Sequence, residues 1–538
     1  MQGDRSGASR RGVLAGAGVG GLLAAAPGAA AAKPGGSGGA ARLTTPPEAV
    51  VETRHGKVRG CLRDGIYTFK GVPYGKDTGG GARLLPPEPP MAWTNVRPAL
   101  AYGPCCPQVV RSGWQSPETA FIYDWDDGFP GEDCLRLSVW SPGVGRGSRP
   151  VMVWLHGGGY ETGSSQELPA YDGERLARRG DVVVVSVNHR LGPFGFLDLS
   201  EAGGERYATS ANAGMLDLVL ALEWVGSNIA AFGGDPGNVT IFGQSGGGAK
   251  VSTLMAMPAA KGLFHKAIVQ SGSLLEVGDP ERGRRLAAET LKALGIGKGE
   301  LDRLAAVPAA DLVKAGETAK RVMPRSTSGI GLVWQPTGDG VTVPRDPWAA
   351  APALSRDVPM IIGATLNEYA PSLGNPGLED MGWDQAMAMA KAAGVSDADW
   401  AAARAAGAAL KPVEALSRVV SRRFGDPAVR QAELKAAQGG APAYLYRFDF
   451  NSGVLDGRAR AYHCAELAYC FDNVDRCLNA TGGTPEARRL AAHMADAWIA
   501  FAKTGDPNHK GLPKWPTVEG GKVMAMRFDD PCGVFAAR

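Results

Sequence analysis

The chain has 538 residues, of which 44% are hydrophobic and 21% are charged, so it can bury a large globular core. Its formal net charge is +3, and Arg5, Arg10 and Arg11 against Asp4 supply +2 of it within the first 32 residues. The near-neutral remainder has no long-range field that would gather nucleic acid or anionic lipid, so nucleic-acid binding is disfavoured.

The first 32 residues predict an export signal. Residues 9–14 (SRRGVL) match a twin-arginine motif, an Ala/Gly-rich stretch follows, and residues 30–32 (AAA) offer a small-residue cleavage site. The stretch has too few large apolar residues to predict a stable membrane span. We therefore expect export to the periplasm or the exterior, with residues 33–46, rich in Gly and Ser, as a flexible linker.

Residues 16–21 (GAGVGG) fit the G-x-G-x-x-G pattern of dinucleotide-binding folds. That pattern needs a preceding strand and an acidic residue about 20 positions further on. Here twin arginines precede it and a Gly/Ser-rich linker follows, so we predict no dinucleotide site and no cofactor. The eight cysteines contain no Cys-x-x-Cys pair, and the sequence predicts no structural zinc.

After residue 46, short continuous apolar runs alternate with helical patterns. A β-hairpin is predicted at 50–53 and 57–60, and buried strands are predicted at 151–155, 182–187, 239–242, 266–269, 359–362 and 443–448. Helices are predicted at 216–232, in insertions at about 280–320 and 378–437, and from Thr484 through about Lys503. Residues 66–140, with many prolines and tryptophans, predict loops wrapped over the core. The alternation predicts one α/β domain, 47–538, with a mostly parallel sheet covered on both faces.

A Gly-Gln-Ser-Gly-Gly string at 243–247 directly follows one predicted strand and precedes a predicted helix. A serine hydroxyl is a poor nucleophile unless it is exposed and lies beside a base. The G-x-S-x-G elbow exposes it on a sharp turn, where glycines remove Cβ atoms that would clash. The pattern also arises by chance in a chain with 76 glycines, but its strand–helix context favours Ser245 as a nucleophile.

A His-Gly-Gly-Gly run at 156–159 directly follows the strand predicted at 151–155. Attack on an ester carbonyl builds negative charge on its oxygen, and backbone N–H groups aimed at that oxygen stabilise it. We predict an oxyanion hole formed by the N–H groups of Gly158, Gly159 and Gly246. The alternative is a plain glycine turn.

Several longer strings resemble the type-B carboxylesterase family. They include residues 69–74 (FKGVPY), 104–108 (PCCPQ), 132–137 (EDCLRL), 188–197 (NHRLGPFGFL), 228–236 (NIAAFGGDP) and 505–508 (GDPN). The resemblance runs from about Val50 to Phe528. It implies an α/β-hydrolase fold with helical insertions forming the pocket, a small-molecule ester substrate, and ester hydrolysis through an acyl-enzyme.

The resemblance also implies an acid and a base. The family's acid lies in a Gly-x-x-x-Asp-Glu-Gly setting, and residues 363–369 (GATLNEY) keep the glycine-to-glutamate spacing, which assigns Glu368. The family's His-x-x-Glu string matches residues 463–466 and assigns His463 as the base. The chain order Ser245, Glu368, His463 is that of α/β hydrolases. Asp339, between two glycines, is the reserve acid. No zinc-protease spacing surrounds His463, so no metal is predicted.

Two positions depart from the family at the site itself. Gln244 stands where the family usually has Glu, and Gly246 where it usually has Ala. A neutral neighbour stabilises imidazolium less and attracts cations less, which suggests a preference for neutral esters. We expect Gly246 to supply its N–H as well as alanine would.

In the family a disulfide closes the loop that ends in the Glu-Asp-Cys string. Cys106 to Cys134 fits that spacing and leaves 27 residues inside the loop, with Cys105 as the adjacent competitor. Trp114 and Trp125 fall within this loop, where they either line the pocket or simply pack.

Two alternatives to this function stay open. One is a non-catalytic adhesion or binding protein on the same fold, against which the intact Ser245, Glu368 and His463 argue. The other keeps the catalysis but changes its target, as in a lipase, thioesterase, lactonase or carbamate hydrolase. Pocket-lining loops set such specificity, and their walls are not readable from sequence.

Overall fold

A computed structural model describes residues 42–110, 117–324, 332–407 and 409–538. The predicted export signal, most of the predicted linker and Trp114 lie outside the described residues. Arg42–Arg538 forms one compact unit. The linker prediction is wrong at its end, because Leu43–Thr44 is a strand that pairs with Cys61–Arg63 and so satisfies its backbone groups within the sheet.

The described residues contain a large twelve-stranded sheet. From Val183–Val187 across to Met524–Phe528 neighbouring strands run parallel, and pairs at both edges are antiparallel. This confirms the predicted mostly parallel sheet. In spatial order the strands are Leu43–Thr44, Cys61–Arg63, Ile66–Pro73, Arg136–Ser141, Val183–Val187, Gly145–Leu155, Phe232–Gln244, Lys266–Gln270, Met360–Thr365, Ala443–Phe448, Met524–Phe528 and Gly533–Ala536.

Both faces of this sheet are buried, as the continuous apolar runs predict. Along Gly145–Leu155, Val151 and Val153 pack into one hydrophobic cluster, while Met152 and Trp154 pack into another. Side chains alternate across a strand, so the two clusters lie on opposite faces. The core therefore has two layers separated by the sheet.

The predicted N-terminal hairpin is confirmed as Val50–Thr53 paired antiparallel with Gly56–Arg59. The prediction of loops throughout 66–140 is wrong at its ends, since Ile66–Pro73 and Arg136–Ser141 pair antiparallel within the large sheet. Both strands mix polar with apolar residues, which hides them from an apolar-run criterion. The short strand Arg97–Pro98 pairs parallel with Gly56–Arg59, so the N-terminal hairpin is part of a separate three-stranded sheet.

Helices cover the sheet, and both predicted insertions are helical. The described α-helices of eight or more residues are Ala213–Asn228, Gly246–Leu254, Pro280–Leu294, Ala309–Val322, Pro347–Ser355, Trp383–Ala392, Asp397–Ala406, Pro412–Ala437 and Pro485–Thr504. Shorter ones are Pro117–Tyr123, Glu174–Gly180, Gly192–Phe196, Ser200–Gly203, Pro371–Gly374, Leu467–Cys470 and Leu478–Thr481. The final helix begins as predicted, with the Thr484 side chain accepting a hydrogen bond from the Ala487 N–H.

One helical segment of the described chain, Ser210–Ala231, is long and apolar enough to cross a bilayer by length and composition alone. Its apolar window is 72% buried inside the protein, as is usual for a core helix. The segment includes Ala213–Asn228, which matches the helix predicted at 216–232.

Candidate active site

Ser245 lies at a strained turn between strand Phe232–Gln244 and helix Gly246–Leu254. Its φ of 55° and ψ of −122° fall in a region that residues with side chains rarely adopt. The Ser245 N–H donates to the Gln270 carbonyl at 2.8 Å, which ties the turn to the next strand. The elbow also needs its glycines, because a Cβ on Gly243 would lie 2.5 Å from the Gly247 carbonyl carbon. The sharp strand-to-helix turn predicted at Ser245 is thus present.

The glycine loop follows strand Gly145–Leu155. Gly158 and Gly159 have φ values of 80° and 66°, which favour glycine. Within the described residues no hydrogen bond occupies the N–H of either glycine, and Gly246 heads a helix, where an N–H lacks an intrahelical acceptor. All three amides predicted for the oxyanion hole are therefore free to bind a ligand oxygen.

These amides come from two backbone segments in close contact. A Cβ on residue 246 would lie 2.5 Å from both the amide nitrogen and the Cα of Gly159. A methyl group at residue 246 would therefore collide with the glycine loop unless the backbone shifted. A glycine here permits the close approach.

Glu368 and His463 come together at one edge of the sheet. Glu368 follows strand Met360–Thr365, and His463 lies beyond the neighbouring parallel strand Ala443–Phe448. Glu368 Oε2 is hydrogen-bonded to His463 Nδ1, while its other carboxylate oxygen accepts the Thr365 N–H at 2.8 Å. The Glu368 side chain is fully buried.

The environment of His463 favours its charged form. Burial alone would lower the pKa of His463, but the attraction and hydrogen bond of Glu368 outweigh it, so the pKa is raised above its usual value. Asp339, the reserve acid, accepts hydrogen bonds from the N–H groups of Val341, Thr342 and Val343 in a turn. Glu368 and not Asp339 contacts the imidazole.

The neutral Gln244 side chain packs directly on this imidazole. Gln244 Nε2 lies 3.5 Å from His463 Nδ1 and 3.4 Å from its Nε2. An atom nearly equidistant from both ring nitrogens cannot lie in the ring plane without overlapping ring carbons, so the amide covers a face of the ring. Between Ser245 Oγ and His463 the described structure has no hydrogen bond, and such contacts often tighten only when substrate binds.

Sequence reasoning missed the residues that hold this arrangement. Cys464, with φ of 79°, donates its thiol hydrogen to Gln244 Oε1 at 3.1 Å and so orients the amide. Tyr123 donates its hydroxyl to the His463 carbonyl at 2.6 Å and stacks on Trp125 with ring centroids 4.4 Å apart. The position of Cys464 directly after His463, inside the His-x-x-Glu string, is the sequence signal that could have identified it.

Ser245 and His463 line one cavity of about 370 Å³. Tyr123, Trp125 and Glu167 also line it, together with Gln108, Val109, Thr119, Asp127, Gly157, Gly158, Thr162, Gly163, Leu168, Tyr171, Gln244 and Cys464. Burial raises the pKa of the Glu167 carboxyl to about 7, against the opposing effect of Lys250. The described lining contains no lysine or arginine, so its formal charges are carboxylates and an imidazole.

Cys106 and Cys134 are both buried free thiols in this structure, so it does not contain the disulfide that the family resemblance implies. The two side chains are nevertheless in contact, since a hydrogen bond with Cys106, together with burial, raises the pKa of Cys134. The competitor Cys105 instead directs its thiol to the carbonyls of Asp127 and Phe129, both at 3.4 Å.

Comparison with known proteins identifies the family of this chain. The family model described as "Carboxylesterase family" matches residues 47–533. Para-nitrobenzyl esterase of Bacillus subtilis is 37% identical over 87% of this chain and 92% of its own length. Phenmedipham hydrolase of Pseudarthrobacter oxydans is 37% identical over 90% of this chain and 94% of its own.

Comparison with solved structures also identifies carboxylesterases. A carboxylesterase from Geobacillus stearothermophilus superposes with a TM-score of 0.76 at 37% identity, over 91% of this chain and 98% of that one. The fold is therefore that of the α/β hydrolases, and the activity class is carboxylic ester hydrolysis. This chain belongs to the carboxylesterase family.

Proposed function

We propose that Ser245, His463 and Glu368 form a catalytic triad that hydrolyses carboxylic esters through an acyl-enzyme. The observation that carries the proposal is the Glu368–His463 hydrogen bond at the wall of the cavity that Ser245 lines. With Nδ1 bonded to the carboxylate, His463 keeps Nε2 as the nitrogen that can accept a proton.

In the acylation half, His463 Nε2 takes the Ser245 hydroxyl proton as Oγ bonds to the ester carbonyl carbon. The carbonyl oxygen becomes negative, and the N–H groups of Gly158, Gly159 and Gly246 stabilise it. Collapse of this intermediate breaks the ester C–O bond, and His463 returns the proton to the leaving alcohol. The acyl group then remains on Ser245.

In the second half, water attacks the acyl-enzyme and gives its proton to His463. The resulting intermediate collapses, and His463 protonates Ser245 Oγ as the carboxylic acid leaves. Glu368 stabilises the imidazolium in both halves, consistent with the raised pKa of His463. Because the base must start neutral, we expect kcat/KM to rise with pH through the raised pKa of His463.

We further propose that neutral esters are the preferred substrates. The side chain that covers the His463 ring is the uncharged Gln244, which supplies no charge to attract a cation. Asp127 and Glu167 line the same cavity and oppose anionic esters, but the raised pKa of Glu167 keeps much of that carboxyl neutral near pH 7. Related thioesters, lactones and carbamates share the carbonyl chemistry and belong in the same substrate panel.

The test is turnover of p-nitrophenyl esters of increasing acyl length by the wild-type enzyme and by Ser245→Ala. We expect a burst of p-nitrophenol from the wild type and a loss of at least about 10⁴-fold in kcat for the variant. An organophosphate should label Ser245 and no other serine. Labelling at a different serine would contradict the assignment of Ser245 as the nucleophile. A folded wild type that turns over no ester would favour a non-catalytic binding protein.

We also propose export through the twin-arginine signal. Its support is the order of arginine pair, weakly apolar stretch and small-residue site within residues 1–32. The full chain expressed in a bacterium with this pathway should give a mature protein that begins near residue 33, outside the cytoplasm. Replacing Arg10 and Arg11 by lysine should retain the precursor; unchanged export of that variant would contradict the proposal.

A further inference from the structure

A fully buried lysine lies behind the glycine loop and has no part in the proposed chemistry. Lys250, on helix Gly246–Leu254, has an exposed fraction of 0%. Lysines are almost never fully buried without a partner charge. In the described part of the chain, however, no carboxylate oxygen lies within 4.0 Å of its ammonium nitrogen, and its hydrogen-bond acceptor is a backbone carbonyl.

The contacts of Lys250 flank the glycine loop. Its Nζ donates to the His156 carbonyl at 2.9 Å, directly before the loop. Its Nζ also lies 5.8 Å from the ring centroid of Tyr160, directly after the loop and within the range of cation–π attraction. One side chain therefore contacts both residues that bracket Gly157–Gly159.

The same helix carries the third oxyanion donor. Lys250 follows Gly246 by four residues, so both lie on one face of the helix. The backbone of Gly246 abuts that of Gly159, as the 2.5 Å approach of a Cβ on residue 246 demonstrates. Lys250 thus links the helix that begins at Gly246 to the backbone that flanks Gly158 and Gly159.

This contact does not require a fixed charge. Burial lowers the pKa of Lys250 to about 7, and the Glu167 carboxylate partly offsets that effect. Both the ammonium and the neutral amine retain an N–H to donate to the His156 carbonyl. The lysine can therefore hold the loop on either side of neutral pH.

We propose that Lys250 is a positioning residue that holds Gly158 and Gly159 against the elbow helix, so that their amides align with that of Gly246. The proposal rests on the proposed triad chemistry. Oxyanion donors act mainly in the transition state, whereas a bound ester needs them little. Loss of Lys250 should therefore lower kcat more than it raises KM.

The test compares Lys250→Met with a matched control, Lys435→Met. Lys435 is also 0% exposed and donates to backbone carbonyls, those of Ser355 and Arg356, outside the catalytic cavity. Steady-state kinetics with a p-nitrophenyl ester are measured for both, with inhibition by a trifluoromethyl ketone, to which Ser245 adds to form a tetrahedral oxyanion. Circular dichroism and organophosphate labelling of Ser245 establish that each variant is folded.

For Lys250→Met we expect kcat to fall by about 10- to 100-fold, with KM changed by less than about threefold. Trifluoromethyl ketone inhibition should weaken by the same factor as kcat. Lys435→Met should lose thermal stability but keep kcat and inhibition. Two results would overturn the proposal. One is a folded Lys250→Met with wild-type kcat, and the other is a folded Lys250→Met with a lower kcat but unchanged inhibition by the ketone.

Lys250→Gln is the second variant, because its amide is polar but the shorter side chain does not reach the His156 carbonyl as the lysine does. It should show the same losses. If neither Lys250 variant folds, the proposal is also overturned, because the lysine is then a requirement of the fold. If the wild type turns over ester but the organophosphate does not label Ser245, the triad proposal fails, whatever the Lys250 variants show.

Discussion

Gly246 and Gly159 are in backbone contact: a Cβ added to Gly246 would lie 2.5 Å from the amide nitrogen of Gly159. The nucleophile elbow and the glycine loop therefore approach each other more closely than an alanine at position 246 permits. The position of two proposed oxyanion donors thus depends on the absence of a single methyl group.

Gly246→Ala should accordingly lower kcat by at least about tenfold, because the methyl group displaces the loop that carries Gly158 and Gly159. The measurement is kcat and KM with p-nitrophenyl acetate. Gly226→Ala is the control, since a Cβ at Gly226 meets no atom within 4 Å, and it should leave kcat unchanged. Wild-type kcat for Gly246→Ala would mean that the loop moves aside without cost.

Glu368→Gln should lower kcat by about 10²- to 10⁴-fold. The Thr365 N–H holds an oxygen at one position of the Glu368 side chain, so the glutamine amide NH₂ would face His463 Nδ1. That donor forces the proton onto Nε2 and removes the base. Kinetics of Asp339→Asn provide the comparison, and this variant should keep kcat; the reverse pattern would assign the acid role to Asp339.

Gln244→Glu should raise the pH at which activity appears. A carboxylate against the His463 ring stabilises imidazolium, which raises the pKa of His463 beyond the effect of Glu368. The neutral base then forms at higher pH, so kcat/KM falls on the acid side while the plateau is retained. The pH profile of kcat/KM with a neutral ester measures this shift. An acid limb at the same or lower pH would be inconsistent with contact between the two side chains.

Glu167 should make charge selectivity depend on pH. Its pKa of about 7 means that it is mainly neutral below that pH and negative above it, and the buried Lys250, whose pKa is also about 7, loses its positive charge over the same range. The ratio of kcat/KM for a choline ester to that for its 3,3-dimethylbutyl analogue should therefore rise between about pH 6 and about pH 8. Glu167→Gln should weaken the dependence of that ratio on pH. A pH-independent ratio in the wild type would exclude this role, and a ratio far above one throughout would refute the neutral-ester preference.

Under oxidising conditions, Cys106 should form a disulfide with Cys134. The side chains are already in contact, and the chain-entropy model gives about 3–4 kcal/mol for closing such a loop. Thiol titration of the denatured mature protein should find two fewer thiols than its eight cysteines, and reduction should lower Tm. Cys105→Ser should keep the bridge, whereas Cys106→Ser should lose it. Loss of the bridge in Cys105→Ser alone would support the competing pair.

The sheet was predictable wherever burial on both faces makes a strand continuously apolar. Val183–Val187 and Lys266–Gln270 lie at the predicted positions and are buried along their length. Ile66–Pro73 and Arg136–Ser141 were missed because they mix polar residues with apolar ones. Backbone pairing between segments distant in sequence, not local composition, makes them strands.

The sharp turn at Ser245 and the glycine loop were predictable from sequence because each depends on local backbone geometry. Ser245 and Gly158 need positive φ values beside a strand end, and a short glycine-rich string encodes that requirement. The family resemblance supplied Glu368 and His463, since a lone glutamate or histidine carries no such local signature.

By itself, then, the sequence determined the α/β class, the elbow and the glycine loop, since hydrophobic periodicity and glycine conformation act over a few residues. Only the tertiary structure decided what surrounds the imidazole: Tyr123 bonded to the His463 carbonyl, Cys464 orienting Gln244, and Lys250 behind the loop. Tyr123 and His463 are 340 positions apart in the chain. Contacts over such separations arise from how layers pack on the sheet, and no local pattern encodes them.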